Sequence, residues 1–251
     1  MCSSDLFAFT KNNEQIISLY NGKVDDIGNK WFIGKPLTAM FDYTKDGIWQ
    51  TSEADKAKSY GSRVGQIHVT DLNGDGKIDA NDRKFIGSEI PDWSGSLTSR
   101  FSFKGLDASI IIYARIGQTL LSGFHQNNNQ LAGRYQQIKV DYWTPNNPTN
   151  EFPQPNKDQE FPVYNTTLIY FDGSFVKIRN INFGYTLPSS LTKKLGVESL
   201  RLFSSIQQPK IWSQYITKYN GVDPEVNESG TANSGVTPAT KVVTVGLNVK
   251  F

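Results

Sequence analysis

The densest chemistry in this chain sits in one stretch, Asp71-Leu72-Asn73-Gly74-Asp75-Gly76-Lys77-Ile78-Asp79-Ala80-Asn81-Asp82. Oxygen-bearing side chains occupy loop positions 1, 3, 5, 9 and 12, with glycine at 6 and an apolar residue at 8, the spacing of a calcium loop. The spacing has a physical cause. Alternate side chains converge on one hard cation, Gly76 permits the sharp turn, and the Lys77 carbonyl supplies a neutral oxygen. Asp71, Asn73, Asp75, Lys77, Asp79 and Asp82 are therefore the expected ligands of a structural Ca2+. Asp82 stands where helix-loop-helix calcium proteins carry Glu. Its shorter arm gives one oxygen instead of two, which leaves a weaker site or Mg2+ open. The competing reading is a solvated, Asx-rich turn. No strong helix pattern precedes Asp71, so the loop is expected on a β scaffold.

Catalytic constellations are poor. His68 and His125 are the only histidines, and neither has a His-x-x-x-His or cysteine partner for zinc. No nucleophile elbow or phosphate loop is present, and nothing selects an acid pair among the 24 carboxylates. Both histidines read as surface or loop residues, and no enzyme is expected. Tyr142 and Trp143, in Asp141-Tyr142-Trp143-Thr144-Pro145, lie in the longest loop. They either stack on a sugar or only pin the loop. Trp49 and Trp93 read as interface-belt or loop-packing aromatics. Asn165-Thr166-Thr167 and Asn227-Glu228-Ser229 match the glycosylation pattern by chance.

The charge balance, 26 basic against 24 acidic residues, argues against nucleic-acid binding, which needs a basic face. The single Cys2 excludes a disulfide framework and a multi-cysteine zinc site. No run of 18 apolar residues exists, so no transmembrane helix is expected, but alternating barrel strands leave no such trace. Residues 1–6 have no hydrophobic signal core and read as a ragged or non-native start.

The elements that must position these residues are mainly strands. One helical pattern, Ser52–Tyr60, has Ser52 as a candidate N-cap. Period-two alternation marks Leu97–Lys104, Asp107–Gly117, Glu198–Gln207 and the terminal Val243–Phe251. In Ser174–Thr186, residues Phe175, Lys177, Arg179, Ile181, Phe183 and Tyr185 share one parity, an imperfect pattern that points to a bulge or the membrane boundary. Strands of about 10 residues, rising ~3.3 Å each and tilted ~45°, span roughly 24 Å, close to the ~25 Å apolar band of an outer-membrane barrel. Connections alternate between short (Lys104–Leu106, Leu187–Val197) and long (Gln118–Gly173, Gln208–Ala239). That layout suits a barrel better than a soluble sandwich, which rarely needs loops beyond ~15 residues.

A set of motifs then falls in order. Gly34-Lys35-Pro36 leads to Phe41-Asp42-Tyr43 and Asp46-Gly47-Ile48-Trp49-Gln50. The calcium-type loop follows, with Arg83, Ile86-Gly87 and Pro91 behind it. Tyr142-Trp143-Thr144-Pro145-Asn146-Asn147-Pro148, Gly184-Tyr185-Thr186-Leu187-Pro188, Asp223-Pro224-Glu225 and Gly246-Leu247-Asn248-Val249-Lys250-Phe251 complete the order. The chain from residue 7 to 251 resembles the C-terminal part of the SusC/RagA-type TonB-linked outer-membrane transporters. Two departures stand out. Val64-Gly65-Gln66 replaces the usual Pro-Gly-Asp, and Ser205-Ile206-Gln207-Gln208-Pro209 replaces a Gly-x-Asn-Leu-like stretch.

The resemblance implies an all-β chain, the C-terminal portion of a 22-stranded transmembrane antiparallel barrel with long extracellular loops, here its last seven or so strands. It implies a multi-pass protein of the bacterial outer membrane that imports oligosaccharides, or peptides in some members. The implied partners are a SusD-like surface lipoprotein, TonB–ExbB–ExbD acting through an N-terminal plug region absent from this chain, and the barrel-assembly machinery. It also implies that the last strand runs to the periplasm, with Phe251 as an assembly signal or an interfacial girdle residue. The long connections and loop 71–82 then lie outside. The rival readings are a soluble calcium-binding module of dockerin type, which would need a second loop copy, and a secreted glycan-active enzyme.

Overall fold

A computed structural model describes residues 2–133, 138–225 and 240–251. Its strands, in chain order, are β1 (Cys2–Thr10), β2 (Ala39–Asp42), β3 (Lys45–Ile48), β4 (Ile67–Val69), β5 (Lys84–Ser88) and β6 (Trp93–Phe103), then β7 (Leu106–Ile116), β8 (Thr119–Leu121), β9 (Tyr170–Asp172), β10 (Phe175–Thr186), β11 (Ser199–Trp212) and β12 (Val242–Lys250). Four short helices accompany them: α1 (Ala54–Ser59), α2 (Gly123–Asn128), α3 (Ser189–Thr192) and α4 (Gln214–Thr217). The long strands form one antiparallel sheet in the order β1-β6-β7-β10-β11-β12, and the short ones pair as β2-β5, β3-β4 and β8-β9. The sheet is open, with β1 and β12 as its edges, so the described residues hold an arc and no closed barrel.

Among the described residues the sheet has six strands, where the resemblance implied seven or so. Residues 2–6, read from sequence as a ragged or non-native start, lie in β1 and pair in unbroken register from Cys2↔Ser102 to Leu6↔Thr98. A signal of apolar residues was absent there, but a backbone ladder needs no such signal. The expected long loop from Gln208 begins later, because β11 continues to Trp212.

Register sorts the strands into two faces, since directly opposed residues point the same way. Leu97, Ile112, Ile178 and, one rung on, Phe101, Ala108, Phe183 share one face. Leu202, Leu247, Val245 and Val243 extend it across β11 and β12. The other face carries Thr98, Arg100, Ser109, Asp107, Asn182, Ser205, Asn248 and Thr244. The imperfect parity of β10 is resolved by a bulge. Register shifts between Ile178 and Asn180 against both neighbours, with Arg179 as the extra residue. Val176 and Ile178 before it then join Ile181, Phe183 and Tyr185 after it on the apolar face, while Lys177, Asn180 and Asn182 share the polar one. On β11 the matching irregularity falls at Gln208, a non-glycine residue at φ 50°.

The apolar face is open to its surroundings: Val245 is 78% exposed, Phe7 68% and Val243 60%. The true cores lie elsewhere, in the connections. Ile48, Ile67, Val69 and Trp143 are each buried and packed with Tyr43, Val64, Ile78, Tyr164 and Leu168. Leu120 and Tyr215 form a second cluster with Phe171 and Val222. Antiparallel order puts the connections 11–92, 117–174 and 213–241 at one end of the sheet, and the turns at 104–105 and 187–198 at the other. The tight turn is a two-residue hairpin in which Lys104 (φ 47°) and Gly105 (φ 85°) are both left-handed, matching strand twist.

Candidate functional site

Among the described residues, polar, charged and buried groups converge on the polar face of the sheet and in the connections folded over one end of it. Two ionic clusters stand on that face. Near the short-turn end, Arg201 of β11 reaches across β10 to Asp107 of β7, with Nη2 to Oδ2 at 2.7 Å and Nε to Oδ1 at 3.3 Å. The bridge passes directly over Gly184, where a Cβ would stand 2.2 Å from Arg201 and 2.6 Å from Asp107. A side chain at 184 would break the pair, which explains the glycine.

Near the long-connection end, Lys177 is 2% exposed and pairs with Asp223 at 3.0 Å and with Glu225. Arg179 also pairs with Glu225, and its guanidinium lies 4.2 Å above the Tyr113 ring. The Asp223-Pro224-Glu225 motif thus neutralises two cations of the wall. Sequence reading noted this motif without a role, because its partners lie over forty residues away.

The connections are tied by polar side chains around the Trp143 core. Trp143 Nε1 donates to Gln50 Oε1 at 2.8 Å, and Asn150 Oδ1 accepts from the Ile48 amide at 3.0 Å. Lys45 donates to the carbonyls of Asn150 and Glu151, and burial holds its pKa below the ordinary lysine range despite nearby Glu151. Tyr170 donates to Asp42 at 2.9 Å; burial, then the Asp42 charge, raises its hydroxyl pKa. Gly65 (φ 82°) packs so tightly under Gln154 and Trp143 that a Cβ would meet both within 2.8 Å.

Trp143, a candidate for stacking on a sugar, is 2% exposed and pins the loop; Tyr142 beside it is 46% exposed. Trp49 is likewise buried, with its ring 3.6 Å from that of His68. His125, read as a surface or loop residue, is instead 5% exposed. Its Nε2–H donates to the Tyr219 carbonyl at 2.9 Å, which leaves Nδ1 to accept from the Ser122 hydroxyl at 2.8 Å. The ring packs on Phe171 and Tyr215, and burial lowers its pKa, which favours the neutral form. Ser122 beside it is fully buried and caps α2, accepting from the His125 amide, so the Ser–His contact is structural and closed to substrate.

In loop 71–82 the carboxylates serve the backbone. Asp71 accepts from the amides of Gly74 and Gly76 and from the Tyr60 hydroxyl; although burial pushes its pKa up, these bonds outweigh burial and lower it. Asn73 and Asp75 accept from amides two residues on, and Asp79 from that of Asn81. Asp82, fully buried, accepts from the amides of Leu72 and Asp79 and closes the loop. Lys77 contributes its amide to Asp75. The donor set is of the hard-oxygen type calcium takes. Among the described residues, however, no three acidic, histidine or cysteine side chains are grouped as a metal ion requires. Phe251 lies just past β12 and is 90% exposed. Asn227-Glu228-Ser229 lies outside the described residues.

No family model matches the chain. Curated relatives do. The chain is 27% identical to TonB-dependent receptor P3 of Formosa agariphila over 99% of its own length and 26% of the relative's. It is 26% identical to TonB-dependent receptor SusC of Bacteroides thetaiotaomicron, over 72% of this chain and 17% of that one. Among solved structures, that of the RagAB peptide transporter superposes with a TM-score of 0.69 at 19% identity, covering 99% of this chain and 27% of that one. The chain spans about a quarter of the length of these relatives. Over nearly its whole length the chain is similar to TonB-dependent receptors, and over 72% of it to SusC.

Proposed function

We propose that this chain is the C-terminal arc of a TonB-dependent outer-membrane transporter, and that the whole protein imports oligosaccharides or peptides. The observation that carries the reading is the two-faced sheet, apolar on one side and polar on the other, with its large connections all at one end. In the hydrocarbon region every backbone group must pair internally, and only a closed barrel achieves that with strands. The apolar face then meets lipid, the polar face lines the lumen, and the long connections face outside. Kinship to SusC and likeness to RagAB support a SusD-like lipoprotein as partner. Energy would come from TonB–ExbB–ExbD, and insertion from the barrel-assembly machinery reading the final strand and Phe251.

The test is uptake of labelled oligosaccharides and peptides by cells producing the full-length protein with its lipoprotein. Uptake of one class, lost without TonB, is expected; uptake indifferent to TonB would end the reading. For loop 71–82 we propose one structural calcium on Asp71, Asn73, Asp75, the Lys77 carbonyl, Asp79 and Asp82. Most of these oxygens accept a single hydrogen bond and keep a lone pair free, and the ion would draw together carboxylates that the loop's own bonds hold apart. Calcium should raise the thermal stability of the full-length protein and not that of its Asp75→Ala variant. Equal stability with and without calcium would refute the ion.

A further inference from the structure

The last long connection begins with a strap, residues 213–225, that folds back over the polar face of the sheet. It touches down at two points. At one, Tyr215 is fully buried, its hydroxyl 2.6 Å from Ser122, and Gly221 lies so close to its ring that a Cβ would come within 2.4 Å. At the other, Asp223 and Glu225 meet Lys177 and Arg179. Between them a pocket of about 210 Å³ remains, lined by Lys177, Gln208, Lys210, Ile211, Ile216, Gly221 and Asp223. The strap bridges this space without filling it.

Three features make the second contact a charge-matched lock. The β10 bulge inserts Arg179 beside Lys177, giving the wall two cations where regular alternation would separate the next polar residue. Asp223 Oδ1 accepts from the Glu225 amide at 2.9 Å, and Pro224 between them is fully buried, so the turn presents both carboxylates together. Lys177 is nearly inaccessible, and removing one side of such a pair strands the other's charge away from water.

Resting on the reading of this sheet as a barrel wall, we propose that Lys177 and Arg179 are positioning residues that latch the 213–225 strap against the lumen side of the wall. The latch narrows the mouth of the barrel at this point. Neutralising either half loosens the strap from Lys218 to Glu225, while the Tyr215 side chain stays seated.

The test uses the full-length protein, purified in detergent, with a spin label on Lys218→Cys in a Cys2→Ser background. Lys177→Gln and, separately, Glu225→Gln should each mobilise the label and speed protease cleavage within 213–225 at least tenfold. Arg179→Gln should speed cleavage too, whereas the conservative Arg179→Lys, which keeps the charge facing Glu225, should keep the slow rate. If Lys177→Gln does not assemble, Glu225→Gln alone carries the test, since Glu225 is a quarter exposed and lies off the strands. An immobile label and unchanged cleavage in Glu225→Gln, or an Arg179→Lys variant as mobile as the neutral ones, would overturn the latch. These readouts need no transport, so failure of TonB-dependent uptake would strike the proposed function and leave the latch standing or falling on its own.

Discussion

The six-stranded sheet and the layer of connections at its end are stabilised in opposite ways. The sheet has no core of its own on its apolar side, where Leu247, Val245 and Val243 stand exposed. The connections bury Trp143, Ile48, Ile67 and Tyr215 almost completely. A soluble domain would cover the first surface, and a floppy loop would not build the second. The difference teaches that the sheet is finished by its environment, whereas the connections are finished by themselves. Their polar ties, such as Trp143 to Gln50 and Asn150 to Ile48, orient the packed layer.

The comparison breaks most visibly at Trp143. Trp143→Ala in the full-length protein should cost the loop layer about 3–5 kcal/mol, the usual price of deleting a large core aromatic. Hydrogen exchange should show the amides of Trp49 and Gln154 losing protection while β6 and β7 keep theirs; equal loss in both regions would mean that they form one cooperative unit.

The next effect contrasts neighbouring residues of β12. Val245→Arg puts a charge on the apolar face near mid-strand and should destabilise by about 2–4 kcal/mol in a bilayer, whereas Thr244→Arg, on the polar face, should cost little. Reversible unfolding in lipid vesicles measures both. A smaller effect is expected at Gly184, where Ala must push apart Asp107 and Arg201, an overpacking cost of about 1–3 kcal/mol. Asp107→Ala should remove most of that cost when combined with Gly184→Ala.

The smallest effect belongs to the connections alone. Burial lowers the pKa of His125, and likewise of His68 despite Asp46 nearby. The unfolded chain therefore binds these protons more readily. Their contribution is complete above the unfolded value near 6.5 and is lost as pH falls through the lowered folded values. The loop layer should loosen as pH falls below about 6.5 with the sheet unaffected, and His125→Gln should blunt that response. A sheet that loosens in parallel would count against the division.

The two regions were also unequally legible in the sequence. Strands write a period of two, so β6, β7, β11 and β12 could be found from Leu97, Ile110, Leu200 and Val245 with their polar neighbours. The false parity of β10 hinted at its bulge because Arg179 adds one residue. β1 was missed, since Cys2-Ser3-Ser4-Asp5 carries no alternation and its strand identity comes from pairing with β6. The connections write no period. Trp143 and His125 look alike in sequence whether they meet a ligand or a core, and only distant residues such as Ile48 or Tyr215 decide. The charges of Lys177 and Asp223 are plain in the sequence, but nothing local tells that they meet. Family resemblance supplied the ordered motifs but not the role of Asp223-Pro224-Glu225.

The central claim is that this sheet stands between lipid and an aqueous lumen, with its phase reset at Arg179. Single cysteines along β10, in a Cys2→Ser background of the full-length protein in vesicles, test it directly with an environment-sensitive thiol dye and lipid-borne quenchers. Positions 176, 178, 181 and 183 should be quenched from the lipid, and 180 and 182 should respond only to aqueous quenchers. Strict alternation through 179 without a reset, or aqueous quenching at every position, would contradict the account.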